Sequence, residues 1–98
     1  MTPEAKVKKK VREVLDDFDV YYFFPPANGS GRTRIPDVIC CVLGRFLAIE
    51  CKAGKGKLTA LQEREIEKIE QAGGVTFVAR EHNIEELKCL IASLLQSA

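Results

Sequence analysis

The stretch Arg34-Ile35-Pro36-Asp37-Val38-Ile39-Cys40-Cys41-Val42-Leu43-Gly44-Arg45-Phe46-Leu47-Ala48-Ile49-Glu50-Cys51-Lys52 decides how the rest of the chain is read. It predicts two strands joined by a tight turn at Gly44-Arg45. Residues 38–43 are an unbroken run rich in β-branched side chains and cysteine. Residues 46–51 are as apolar until Glu50, with Lys52 just beyond. Glycine at the first central position suits a two-residue type II′ turn. Leu43 then pairs with Phe46, Ile39 faces Glu50 and Asp37 faces Lys52. Side chains alternate with period two, so Asp37, Glu50 and Lys52 share one face, with Asp37 and Glu50 as diagonal neighbours able to share a cation. A three-residue loop would shift the register by one and send Asp37 to the opposite face.

Two carboxylates held close repel unless positive charge intervenes. Oxygen donors in a chain with one histidine suit Mg2+ or Mn2+. The backbone carbonyl of Cys51 is available as a further ligand. Lys52, on the same face, is placed to position or deprotonate a water, or to stabilise negative charge developing at phosphorus. The reaction this predicts is metal-assisted hydrolysis of a phosphodiester. A plain ion pair between Asp37 and Lys52 at a strand end is the alternative, and it leaves Glu50, the neighbouring basic loops and Gln62 without a role.

Working outward, residues 27–34 form a loop rich in Asn, Gly, Ser, Thr and Arg, and it carries Arg32 and Arg34 without an acid. Residues 53–57 read Ala-Gly-Lys-Gly-Lys and carry Lys55 and Lys57. Glycines leave backbone amides approachable and the cations suit phosphates, so both loops are expected to contact DNA. Solvated surface loops are the alternative. Thr59-x-x-Gln62 matches a capping box opening a helix that Gly73-Gly74 stops. Leu58, Leu61, Gln62, Glu65, Ile66 and Ile69 fall on one arc of that helix. Gln62 is read either as a cap alone or as an inward amide able to orient water or phosphate, and the arc gives Glu65 no role.

Thr2 and Pro3 begin a helix whose apolar stripe is Val7, Val11, Val14, Leu15 and Phe18. Glu4 lies on the inward side of it. It is read either as a first-turn acid complementing the helix dipole or as a carboxylate aimed at the Asp37–Glu50 cluster. Residues 20–24 are an aromatic strand ended by Pro25-Pro26, and 75–79 a fourth strand. Asn83 is expected to cap a last helix with Ile84, Leu87, Leu90, Ile91, Leu94 and Leu95 on one broad face. The order helix, three strands, helix, strand, helix argues for an α/β fold around a four-stranded sheet.

The chain has 98 residues, which suits one domain spanning 1–98. Its net charge of +1 gives no global attraction for nucleic acid, so any such signal is local. No apolar run approaches a membrane span and the N-terminus lacks a signal-peptide core. The four cysteines make no CxxC and are expected as buried free thiols in a reducing cytoplasm.

Pro36-Asp37, a hairpin and then Glu50-Cys51-Lys52 resemble the PD-(D/E)XK nuclease motif. Gly31, Lys55, Lys57, Gln62 and Gly73-Gly74 resemble the virus-type replication-repair nuclease group, VRR-NUC, and the likeness covers nearly the whole chain. The resemblance implies a restriction-endonuclease-like αβββαβ core with a mixed four-stranded sheet and an additional C-terminal helix. It implies Mg2+- or Mn2+-dependent DNA cleavage, with Asp37 and Glu50 as metal ligands, the Cys51 carbonyl beside them, Lys52 as the catalytic lysine and Gln62 as a catalytic-motif residue. Glu4 matches the N-terminal helix acid of many superfamily members. Stand-alone modules of this group are associated with cutting four-way junctions, so branched DNA in repair or replication is the expected substrate. A nucleic-acid-binding module without turnover is the alternative, and the intact Asp37, Glu50 and Lys52 speak against it. The small size, the apolar stripe of the last helix and the aromatic strand point to a homodimer.

Overall fold

A computed structural model describes residues 1–26 and 35–96. Helix α1 (Pro3–Asp17) begins as the sequence predicts, with the Thr2 hydroxyl accepting the Ala5 N–H at 3.1 Å and Pro3 in the first turn. The strands are β1 (Tyr21–Phe23), β2 (Val38–Val42), β3 (Arg45–Cys51) and β4 (Val75–Ala79). They are ordered β1-β2-β3-β4 in one sheet. The first three run antiparallel, and β4 is parallel to β3, which requires a crossover. Helix α2 (Ala60–Gln71) makes that crossover, and α3 (Ile84–Gln96) closes the described chain. The sheet is thus mixed, and its strands and helices follow the expected restriction-endonuclease-like order.

The hairpin differs from expectation by one residue at the turn. Val42 pairs with Arg45 and Cys41 with Phe46, so the central residues are Leu43 and Gly44. Both have positive φ, +49° and +84°, the signature of a type I′ turn rather than type II′. Leucine is a poor left-handed residue, which is why composition placed the turn one position later. Pairing partners therefore move by two: Ile39 meets Ala48, and the next step past Val38–Ile49 sets Asp37 against Glu50 instead of Lys52. An even shift keeps every side chain on its expected face.

One face of the sheet builds the core. Val38, Cys40, Val42, Leu47, Ile49, Cys51 and Ala79 meet Val7, Val11, Val14 and Leu15 of α1 and Leu87, Ile91 and Leu94 of α3, all buried. Ile84, Leu90 and Leu95 also pack against this cluster. The apolar stripe of α3 is therefore used largely inside the monomer, because one sheet face needs both helices to cover it. Tyr22 joins β1 to α1 by donating its hydroxyl hydrogen to Asp16 Oδ1 at 2.6 Å, and the Arg12 guanidinium lies 4.6 Å from the Phe24 ring centre.

The second face is only partly covered, by α2 over β4. Gly74 marks their close approach, since a Cβ there would sit 2.7 Å from an Ile69 methyl. Gly73, at φ +94°, ends α2 in the left-handed conformation. Toward β1 the same face stays open, with Tyr21, Phe23, Cys41 and Phe46 exposed and Ile39 half-buried among them. Exposed Cys41 departs from the expectation of buried thiols within the strands, Cys89 is exposed on α3, and all four are free. No described helix is long and apolar enough to cross a membrane.

Candidate active site

Period-two alternation puts Asp37 and Glu50 on the face that carries α2, at the end of the sheet where β2 begins and β3 finishes. Asp37 precedes β2 by one residue, and its Oδ2 accepts the Cys51 N–H at 2.8 Å. That bond continues the β2–β3 ladder through a side chain and fixes the Asp37 carboxylate beside the strand that carries Glu50. Glu50 is 5% exposed, the one buried charged residue among those described. Its carboxyl is pushed up to about 8, first by burial and then by its hydrogen bond to Asp37 and that group's charge. Lys52 opposes the shift and Glu4 adds to it, so both are close enough to act on Glu50 electrostatically.

Gln62 closes the helix cap and also turns its side-chain amide inward. Its backbone N–H donates to the Thr59 hydroxyl at 3.1 Å, and its Oε1 accepts the Thr59 N–H at 2.9 Å, closing the capping box. Its Nε2 is left free to donate to Glu50 Oε1 at 3.3 Å. The helix cap thereby aims an amide at the carboxyl. Burial raises the Cys51 thiol to about 12 and so keeps it protonated, leaving the backbone carbonyl as its available ligand atom. Lys55 and Lys57 are exposed on the loop that follows Lys52. Arg32 and Arg34 lie outside the described residues, as does Gly31. Glu65 is half-buried on α2.

Sequence reasoning missed Lys8. Its Nζ stands 3.6 Å from Asp37 Oδ1 and 4.0 Å from Glu4 Oε2, so α1 delivers a cation to the carboxylates as well as Glu4. The i, i+4 spacing of Glu4 and Lys8 was visible as a helix pair, whereas the reach to Asp37 depends on how α1 lies across the end of the sheet. Among the described residues, no three or more His, Cys, Asp or Glu side chains close into a metal cage. A pair of carboxylates and a carbonyl still fit an ion that keeps several of its waters.

Residues 7–98 match the model of the archaeal Holliday junction resolvase family, Hjc. The chain belongs to this family. The Hjc resolvases are members of the PD-(D/E)XK nuclease superfamily, as the Asp37…Glu50-Cys51-Lys52 pattern predicts. A comparison with curated proteins finds no match. An Hjc resolvase is a structure-selective nuclease acting on branched DNA, and resolvases of this superfamily generally use divalent metal ions.

The buried carboxyl gives the resolvase a pH signature. Glu50 has an ordinary value of 4.5 and a folded value near 8, so the folded state holds a proton that the unfolded chain releases between these limits. Stability of the metal-free protein should therefore fall as pH rises through that window, by at most about 1.4 kcal/mol per unit from this group. Urea unfolding in chelator at several pH values measures the slope, and Glu50→Gln should flatten it.

Proposed function

We propose that this resolvase hydrolyses junction phosphodiesters with Mg2+ or Mn2+ held by the Asp37 and Glu50 carboxylates and the Cys51 carbonyl, Glu4 being the further candidate ligand. The observation that carries the reading is Glu50: a buried carboxyl set against a second carboxyl, an arrangement that costs stability and that a dication offsets. Bound there, the ion would supply positive charge at phosphorus and make a water it carries easier to deprotonate. The chain's own residues do the rest. Lys52 positions or deprotonates the water, or stabilises charge on the phosphoryl oxygens. Gln62 holds Glu50 in orientation through Nε2, and Lys8 holds Asp37. The features shared with VRR-NUC modules, Gln62 and the Lys55–Lys57 loop among them, support a kinship with that branch.

We take residues 1–98 as one nuclease domain that works as a homodimer, because a four-way junction offers two equivalent strands to a two-fold pair of sites. With α3 occupied in the core, the surface that fits a second copy is the open sheet face of Tyr21, Phe23, Ile39, Cys41 and Phe46. Light scattering of wild type and Phe46→Lys should give a dimer and a monomer; a fully active wild-type monomer removes this arrangement. The free thiols and the DNA substrate support a cytoplasmic site of action.

The direct test is manganese-dependent cutting of a four-way junction against matched linear duplex, paired with calorimetric titration of Mn2+. Saturable binding and faster junction cutting are expected. Equal rates on both substrates would refute the junction preference, and no measurable binding would refute the metal site. Neutralising Arg32, Arg34, Lys55 and Lys57 should weaken junction binding and flatten its dependence on salt, by up to about 0.9 in log–log slope per lost phosphate contact. An unchanged slope places the DNA elsewhere.

A further inference from the structure

The loop after Lys52 contains Gly54 and Gly56, and a chain of that composition has many conformations open to it. In the folded protein it is held from outside. Both carboxylate oxygens of Glu81 accept the Gly54 N–H at 2.9 Å, and Arg80 Nη1 donates to the Gly54 carbonyl at 3.1 Å. Neighbouring side chains thus take the donor and the acceptor of one residue, which adopts the left-handed φ of +55°. Within the loop, the Gly56 N–H closes a turn on the Ala53 carbonyl at 3.0 Å.

The grip is anchored in turn. Asn83 opens α3 with its carbonyl, which accepts the Leu87 N–H at 3.2 Å, while its side chain points back: Oδ1 accepts the Arg80 N–H at 2.7 Å and Nδ2 donates to the Val78 carbonyl at 2.8 Å. The Lys52 N–H donates to the Ala79 carbonyl at 3.0 Å, extending the parallel β3–β4 pairing. The chain after β4 therefore serves as a bracket for the chain after β3. An acid beside Lys52, Lys55 and Lys57 would weaken a phosphate-binding face if it acted only as a charge. Its oxygens are instead engaged with backbone, which also holds the Glu81 carboxyl below its usual range.

We propose that Glu81 and Arg80 are positioning residues for DNA cleavage, fixing the Gly54 backbone so that Lys52, Lys55 and Lys57 are set in place before DNA arrives. This deepens the proposed function and rests on its reading that the basic loop faces phosphates. Ordering a glycine loop in advance removes a conformational cost from binding and from alignment at phosphorus.

The test uses Glu81→Ala and Glu81→Gln in the full chain, with steady-state cutting of a four-way junction and thermal melting as a check on folding. Both variants remove the same negative charge, but glutamine keeps an oxygen able to accept the Gly54 N–H. Glu81→Ala should lower kcat by about tenfold, and Glu81→Gln should restore most of it. Arg80→Ala should act in the same direction as Glu81→Ala. If both Glu81 variants bind junction more tightly with wild-type kcat, Glu81 is a surface charge and the proposal is wrong. Equal losses in both would overturn it too, because the accepting oxygen would then not matter. Failure of the underlying reading shows separately, as unchanged junction affinity in a Lys55→Ala/Lys57→Ala protein.

Discussion

Glu50→Gln is expected to abolish junction cleavage while making the protein more stable at neutral and higher pH. The amide keeps an oxygen to accept from Gln62, so the neighbourhood of α2 survives. It carries no charge, and so escapes the burial that drives the Glu50 carboxyl up to about 8. Loss of a metal-binding carboxylate removes several kcal/mol of charge stabilisation at the transition state, a fall of about 10³-fold or more in rate. Opposite movements of activity and stability are the mark of a site that holds strain for function. Asp37 needs a gentler substitution than alanine, because Asp37→Ala strips the Cys51 N–H of its acceptor and costs about 1–3 kcal/mol besides. Asp37→Asn keeps an acceptor and should lose both activity and Mn2+ binding. Substantial cutting by either folded, uncontaminated carboxamide variant would sink the metal-ligand assignment.

The second large effect is at Lys52. Lys52→Ala should slow turnover at saturating metal by about 10²- to 10⁴-fold, the range for loss of a proton-transfer or charge-stabilising group. Metal affinity should weaken less, through Glu50: Lys52 draws that carboxyl downward, so without it a proton competes harder for the site. Lys52→Arg separates two roles. Arginine keeps the positive charge but does not give up its proton. Partial rescue by arginine assigns Lys52 to charge stabilisation, and none assigns it to deprotonating water. Normal turnover at saturating metal in Lys52→Ala would remove both.

The elements were legible because each carries a local signature. Thr2-Pro3 and Thr59-x-x-Gln62 cap their helices as written, and the apolar runs of β2 and β3 stand clear of their flanks. The shared face expected for Asp37 and Glu50 followed from strand alternation, and a register shift of two residues leaves that alternation unchanged. The turn itself went against local preference, with leucine at positive φ. What local sequence does not encode is which remote groups arrive. Lys8 reaches Asp37 through the placement of α1, and Glu81 meets Gly54 through the parallel pairing of β3 with β4, 27 residues away in the chain. Asn83 takes the cap position before α3, but the turn between β4 and α3 claims its side chain.

Pro25-Pro26, directly after Phe24, has a consequence for how copies of this chain can accumulate. β1 is an edge strand only three residues long, and Tyr21 and Phe23 lie exposed on it. A longer strand with that composition would template the edge of another molecule and propagate into filaments. Proline has no N–H to offer a neighbouring strand, so a pair of them denies the edge its next rung. Growth along the hydrogen-bonding direction is thus disfavoured at the β1 edge, and the pairing proposed above, through the flat of the sheet, would close on itself instead of extending.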